Sequence, residues 1–111
     1  MLYEVREYTA LPGRLPALID RFNNATLRLF RKHGMQVVFL GRTDSGDDSK
    51  NEVVYALRFD SYADMENRWT AFLNDPEWKD AAARSEQDGP LVGRIRRRFV
   101  SSAGFTDLAD G

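Results

Sequence analysis

Asp75-Pro76-Glu77-Trp78 is the stretch that decides the fold, because it begins a new helix immediately after another one ends. Aspartate is a preferred N-cap, and proline is favoured at the first position of a helix. Residues 62–73 before it already place apolar side chains at helical spacing. The sequence therefore predicts a jointed helix, two helical pieces in succession, that carries both tryptophans, Trp69 and Trp78.

Four predicted strands and one further predicted helix surround the jointed helix. Alternation of side chains and enrichment in β-branched and aromatic residues predict strands over residues 2–9, 35–43, 52–60 and 91–100. An apolar stripe with a 3.6-residue period predicts a helix from about Arg14 to His33, followed by Gly34 at its C-terminal end.

The resulting order, βαββαβ, predicts an α+β domain with a ferredoxin-like fold. Right-handed crossovers in both halves give a four-stranded antiparallel sheet in the order 4-1-3-2, with the helices on one face. The other face has no cover, although the third strand has apolar or small residues on both of its faces. We therefore expect a homodimer in which two sheets pack face to face, a dimeric α+β barrel.

The composition fits one globular domain over residues 1–111, with about 101–111 as a tail. With 42% hydrophobic and 30% charged residues, the chain is not expected to be disordered. A formal net charge of −1 lacks the basic field that nucleic-acid binding requires, so we expect no nucleic-acid partner. Because there is no cysteine and only one histidine, we expect neither a metal site nor a cofactor.

The sequence also bears on localisation. No apolar run approaches the ~20 residues of a membrane-spanning helix, so we expect no membrane partner. Residues 2–6 already resemble a strand, so we expect no signal peptide or transit segment at the N-terminus. Together with the absence of cysteine, these features predict a cytoplasmic protein.

Glu4, Arg6 and Tyr8 form the main candidate site, because alternate residues of a strand share one face. Charges on a central strand are costly unless they are paired or hydrated. One hypothesis is a polar cluster that lines a cavity, with Arg6 binding an anionic group and Glu4 or Tyr8 moving a proton. The alternative, which we favour, is an ion pair that fixes strand register or dimer geometry.

Aromatic residues give a second candidate feature. Trp69, Phe72 and Trp78 could form the wall of a pocket for a planar ligand between sheet and helices. Aromatic residues at helical spacing are more often part of an ordinary core, so both interpretations stay open. In the binding hypothesis, Arg6 or Arg58 would hold a polar group of the ligand.

Two basic features have simpler explanations. His33 lies at a predicted helix end beside Gly34, where a capping role is expected rather than catalysis. Arg94, Arg96 and Arg98 share one face of the fourth strand and would be solvated charges that deter edge-to-edge pairing. Binding of an anion or an acidic partner is the alternative for this run.

Four segments in a fixed order resemble the NIPSNAP family. They are Tyr3-Glu4-Val5-Arg6-Glu7-Tyr8, Pro12-Gly13, Lys32-His33-Gly34 and Asp75-Pro76-Glu77-Trp78. The resemblance extends over about residues 2–108, with a looser match in residues 104–108.

The resemblance implies a dimeric α+β barrel, a fold shared with antibiotic-biosynthesis-type monooxygenases, haem-degrading enzymes and muconolactone isomerase-like proteins. It implies no reaction. His33 is on the wrong helix for the histidine of the haem-degrading relatives, so no haem is expected. Animal members are mitochondrial, a localisation that we do not expect without a transit segment.

Three functions are therefore considered. The first is a homodimeric small-molecule-binding protein with a cleft between sheet and helices. The second is a cofactor-independent monooxygenase- or isomerase-like enzyme that orients its substrate and uses Glu4 or Tyr8 for proton transfer. The third is a dimeric protein-interaction module that uses residues 94–98 or the tail.

Overall fold

The computed structural model describes residues 1–47 and 49–105. Its strands are β1 (Leu2–Ala10), β2 (Gln36–Arg42), β3 (Glu52–Phe59) and β4 (Val92–Ser101). Its helical segments are α1 (Leu15–Arg21), a π-helical turn (Phe22–Thr26), α2 (Leu27–Lys32), α3 (Tyr62–Leu73) and α4 (Pro76–Ser85). Residue 101, where we predicted the tail to begin, is the last residue of β4, and residues 106–111 of that tail lie outside the described residues.

The four strands form one antiparallel sheet in the order β2-β3-β1-β4. This is the predicted order 4-1-3-2 counted from the opposite edge, so the ferredoxin-like topology is confirmed. β1 and β3 are the central strands. Glu4 of β1 pairs with Leu57 of β3, and Arg6 pairs with Tyr55. Directly opposed residues share a sheet face, so these four side chains lie on the same side.

The first crossover differs from its prediction in one respect. The periodicity predicts a regular α-helix, whereas the structure has a wider π-helical turn between α1 and α2. Within this turn the hydroxyl of Thr26 donates to the carbonyl of Arg21, five residues earlier, at 3.3 Å. Phe22, Ala25 and Thr26 are all buried there. A π turn adds a single residue to the helical turn, so the spacing of apolar residues along the sequence changes too little to reveal it.

The second crossover is the predicted jointed helix. At the start of α3, the hydroxyl of Ser61 accepts from the backbone N–H of Asp64 at 3.0 Å. A capping box would require the carboxylate of Asp64 to accept from the backbone N–H of Ser61. It accepts from the backbone N–H of Asp60 instead. At the start of α4, Asp75 accepts from the N–H of Glu77 at 2.9 Å. In the described part of the chain, no helix has the length and apolarity to cross a bilayer.

The hydrophobic core lies between the sheet and the helices. Leu18, Leu29 and Phe30 of the first crossover and Phe72 of the second pack on this side against Leu57, and each is at most 1% exposed. Burial of these apolar side chains is the main stabilising contribution to the fold. The two helical crossovers meet over the sheet, and the candidate site forms beneath them.

The other face of the sheet carries no helix in the described residues. The strand register places Val5, Ala56 and Phe39 side by side on this face, across β1, β3 and β2. Phe39 is 49% exposed, and Val100, which pairs with Tyr3 on the same face, is 44% exposed. The face therefore has an apolar strip that is partly open to solvent, beside charged residues such as Arg58 on β3 and Arg96 and Arg98 on β4.

Candidate ligand-binding site

Glu4 is the centre of a buried charge cluster on β1. Its side chain is 0% exposed and lies on the face that the helices cover. One carboxylate oxygen accepts from the indole Nε1 of Trp69 at 2.6 Å. The other accepts from Nε of Arg6 at 2.9 Å and from Nε of Arg97 at 2.6 Å. A buried carboxylate requires such partners, because an unpaired charge in the core is strongly destabilising.

Arg6 extends this cluster along the strand. Its Nη1 donates to the hydroxyl of Tyr8 at 3.0 Å, and its guanidinium lies 4.1 Å from the ring centroid of Trp69, within cation–π distance. Burial alone would lower the pKa of Arg6, but the oxygens of Tyr8, Tyr55 and Glu4 together raise it above its ordinary value. Its remaining amino group, Nη2, has no hydrogen-bond partner among the described residues.

Tyr8 and Tyr55 end the hydrogen-bonded chain. Their hydroxyl oxygens are 2.7 Å apart, and their rings pack edge to face. Tyr55 is 1% exposed, and burial, followed by the neighbouring Tyr8, raises the pKa of Tyr55 well above its ordinary value. The phenol of Tyr55 is therefore neutral at physiological pH. Glu4, Arg6, Tyr8 and Tyr55 form one continuous polar chain inside an apolar core.

A cavity of about 210 Å³ adjoins this polar chain, between the sheet and the two helical crossovers. Half of its lining residues are aromatic, and it combines residues of both crossovers with residues of the sheet. The lining residues include Arg6, Tyr8, Phe22, Tyr55, Trp69, Phe72 and Trp78. Phe22 reaches the cavity from the π-helical turn, a feature that is frequent at functional sites. Among the aromatic side chains, the wall also has the guanidinium groups of Arg6 and Arg21, the phenols of Tyr8 and Tyr55 and the carboxylate of Glu86.

The structure separates the predicted site residues into two groups. Arg6, Tyr8, Trp69 and Trp78 all line the cavity. Glu4 contacts Arg6 and Trp69 without lining the cavity, and its oxygens already accept from three donors. These contacts suit a fixed counter-ion better than a mobile base.

Arg58 is the predicted binding residue that lies elsewhere. It pairs in register with Tyr3 and Gln36, on the sheet face without helices. Alternation along β3 puts it on the side opposite Tyr55, so it cannot reach a ligand in the aromatic cavity. The hypothesis that Arg6 or Arg58 holds the ligand is thus reduced to Arg6.

Arg97 and Arg21 are cavity-associated residues that the sequence reasoning missed. Arg97 shares the helix-covered face with Ile95 and Phe99. The alternation of side chains along β4 could have predicted this, because Arg97 is two residues from each of them. Arg21 lies at the rim, with its guanidinium 5.3 Å from the ring of Trp78 and 3.4 Å from Glu86. No sequence signal distinguishes Arg21 from the other basic residues of the first crossover.

Two of the segments that carry the family resemblance meet in the structure. The carboxylate of Asp75 lies 2.8 Å from Nζ of Lys32 and 2.8 Å from Nε2 of His33. Nη1 of Arg68 donates to the carbonyl of His33 and occupies the space that a Cβ at Gly34 would need, where φ is +69°. His33 and Gly34 therefore join the end of α2 to α3 and α4. This structural role accounts for His33 without a role in catalysis.

Metal binding has no obvious site here. Within residues 1–47 and 49–105, no group of three or more histidine, aspartate or glutamate side chains could hold a metal ion. The polar chain beside the cavity contains one carboxylate, and two guanidinium groups already surround it. The cavity wall presents aromatic surface, the guanidinium of Arg6 and the hydroxyl of Tyr8.

The NIPSNAP family profile matches residues 3–107. The chain belongs to the NIPSNAP family. The match covers the polar chain, the aromatic cavity and both helical crossovers, so the resemblance predicted from four short segments is confirmed over nearly the whole domain. A comparison with curated proteins finds no match.

Solved structures similar to this NIPSNAP domain share its fold. Protein Atu4242 of Agrobacterium tumefaciens is 24% identical with a TM-score of 0.81, covering 97% of this chain and 99% of that one. An uncharacterised NIPSNAP-like domain protein of Burkholderia xenovorans is 21% identical with a TM-score of 0.81, covering 96% and 89%. A candidate antibiotic biosynthesis monooxygenase of Chloroflexus aurantiacus is 19% identical with a TM-score of 0.61, covering 94% and 95%. At these identities the likeness establishes the fold alone.

Proposed function

We propose that this NIPSNAP domain is a cytoplasmic homodimer that binds a small organic molecule in the aromatic cavity. The observation that carries the proposal is the wall of that cavity, where Arg6 has an amino group without a protein partner beside the hydroxyl of Tyr8. Trp69 and Trp78 supply apolar surface for a planar ligand. Few polar groups in an apolar enclosure are typical of small-molecule sites.

The size of the cavity limits the ligand. Its volume of about 210 Å³ is below the roughly 300–1,000 Å³ that is usual for pockets that bind drug-sized molecules. A ligand with a single ring and one polar substituent fits this volume. A larger groove of about 530 Å³ lies between the first crossover and α4, but charged side chains such as Arg28, Glu77 and Arg84 line it, so its wall is more polar than that of the aromatic cavity.

The homodimer is proposed because one sheet face has no cover. Val5, Ala56 and Phe39 form an apolar row on that face, and their burial against a second copy would remove it from water. The cavity lies on the opposite face, so dimerisation would leave it accessible. The absence of cysteine suits the reducing cytoplasm.

A cofactor-independent enzyme is the second candidate. The hydroxyl of Tyr8 lies between Arg6 and Tyr55 and lines the cavity, where it could exchange a proton with a bound substrate. The fold likeness to a candidate monooxygenase supports this alternative only by analogy. Tyr8→Phe distinguishes the two, because an enzyme would lose turnover while a binding protein would retain most of its affinity.

Native mass spectrometry tests the proposal. The purified protein is compared under gentle and denaturing conditions, alongside an Arg6→Gln variant and an Arg84→Gln control, whose side chain on α4 is 68% exposed and does not line the cavity. We expect a dimer with a releasable small molecule in the wild type and the control, and reduced occupancy in Arg6→Gln. A ligand-free dimer that remains empty when incubated with single-ring aromatic compounds would overturn the binding function and favour an interaction module.

A further inference from the structure

The polar chain beside the cavity and Arg97, which is paired with it, together contain one more positive charge than negative charge. Arg6 and Arg97 are both paired with Glu4, which is their only carboxylate partner among the described residues. Tyr55 is neutral, as its burial requires. We infer that the ligand carries a single negative charge, and that Arg97 sets this preference without lining the cavity. The inference rests on the proposed binding function and names the ligand class for the same site.

Arg97 acts on the cavity through Glu4. Its Nε lies 2.6 Å from the carboxylate, while its guanidinium lies 4.7 Å from the ring of Phe99 and its Nη2 lies 3.8 Å from Sδ of Met65. Without Arg97, Glu4 would neutralise Arg6, and the cavity wall would have no net charge. With Arg97 present, the cluster has a charge of +1. Glu4 is fully buried and Arg6 is 16% exposed, so this difference affects the affinity of an ion even though the 43% exposed side chain of Arg97 is partly screened by solvent.

The remaining charges at the cavity do not alter this balance. Arg21 and Glu86 line its rim, and they form an ion pair at 3.4 Å. Arg94, Arg96 and Arg98 are on the other face of β4, in register with β1 residues that point away from the helices. The uncompensated positive charge is therefore local to Arg6, whose Nη2 is available to a ligand. An aromatic carboxylate with one ring matches both the charge and the apolar wall.

Benzoate and benzamide test the charge preference, because they have nearly the same shape and differ in charge. Each is titrated into the wild-type dimer, with binding followed by the fluorescence of Trp69 and Trp78 and by calorimetry. We expect benzoate to bind at least about tenfold more tightly, since an ion pair in a desolvated site is much stronger than one in water. We expect the preference to weaken without disappearing in high salt, because Arg6 is mostly buried whereas the side chain of Arg97 is 43% exposed. Benzamide binding as tightly as benzoate would overturn the inference while leaving the binding function intact.

Arg97→Gln and Arg98→Gln test the role of Arg97. Both remove one positive charge from neighbouring positions of β4, but on opposite faces of the sheet. We expect Arg97→Gln to remove most of the preference for benzoate and to retain benzamide binding, whereas Arg98→Gln leaves both unchanged. Circular dichroism checks that each variant is folded. If Arg97→Gln does not fold, Arg97→Lys provides the test, because it keeps the charge and should retain the preference for benzoate. Equal effects of the two glutamine variants would overturn the role of Arg97, and binding of neither probe would overturn the proposed function as well.

Discussion

Trp69 supplies the neutral hydrogen bond to Glu4, while Arg6 and Arg97 supply the two charged ones. Trp69→Phe preserves an aromatic ring but leaves one oxygen of a fully buried carboxylate without its donor. We expect the free energy of unfolding to fall by about 1–3 kcal/mol, the usual cost of an unsatisfied buried polar group. Urea denaturation followed by circular dichroism measures this. Trp78→Phe is the matched control, because the described structure shows no hydrogen bond from its indole, and an equal loss in both variants would contradict the role of the Glu4 contact.

Tyr55 makes stability sensitive to alkaline pH. Burial raises its pKa in the folded protein, so its neutral form contributes stability that is fully present below the unfolded-state pKa of about 10. That contribution is lost as the pH rises through the higher folded-state pKa. We expect Tm to fall above about pH 10, and to fall less steeply in Tyr55→Phe. Thermal melts over this range, with tyrosinate absorbance recorded in parallel, measure the effect; Tyr62→Phe, at a 60% exposed position, should match the wild type.

Alternation along a strand predicts which residues share a face, but it does not predict what covers that face. Glu4, Arg6 and Tyr8 could be grouped correctly for this reason. The partners of Glu4 could not be predicted, because Trp69 and Arg97 reach it from a helix and from another strand, 65 and 93 residues later. Arg58 lies on the face of β3 opposite Tyr55, and only the structure shows that the helices and the cavity are on the side of Tyr55.

At the scale of elements, Asp75 connects the end of α2 to the start of α4. Hydrogen bonds from Lys32, then His33, and from the backbone of Glu77 lower the pKa of Asp75 well below its ordinary value. The ionised carboxylate therefore contributes stability that is present above the unfolded-state pKa of about 4 and is lost as the pH falls through the lower folded-state pKa.

Asp75→Asn isolates this charge, because asparagine is also a good N-cap and should preserve the start of α4. We expect the variant to have a lower Tm than the wild type at neutral pH, and the difference to shrink as the pH falls below about 4. Thermal melts of both proteins between neutral and strongly acidic pH measure this. A difference in Tm that stays constant over the whole range would show that the charge of Asp75 does not contribute.

Element boundaries were predictable where a local signal marks them. Ser61 and Asp75 each cap a helix with their own side chain, and both helix starts were predicted correctly. The π-helical turn at Phe22–Thr26 was not predicted, because one added residue changes the direction of side chains without interrupting the apolar stripe. That turn brings Phe22 to the cavity wall, so the feature that sequence periodicity misses is one that shapes the candidate site.

At the scale of the whole molecule, the helices cover one sheet face and the other remains open in the described residues. The same division separates ligand binding from dimerisation, since the cavity is on the covered face and the proposed dimer contact is on the open one. A variant on the open face should therefore change the oligomeric state without changing ligand binding. Phe39 is suited to this test, because it is 49% exposed and lies at the end of the apolar row, next to Ala56.

Phe39→Glu places a carboxylate in the proposed interface, where burial of an unpaired charge is strongly unfavourable. We expect light scattering to show a dimer for the wild type at micromolar concentration. Phe39→Glu should be a monomer there and should dimerise only at a protein concentration at least about a hundredfold higher. Tyr62→Glu, which adds the same charge at an exposed position on α3, should remain a dimer. A wild-type monomer, or equal dissociation of both variants, would contradict the interface. Benzoate affinity that is unchanged in monomeric Phe39→Glu would further place the complete binding site within a single chain, as the lining of the cavity by one copy requires.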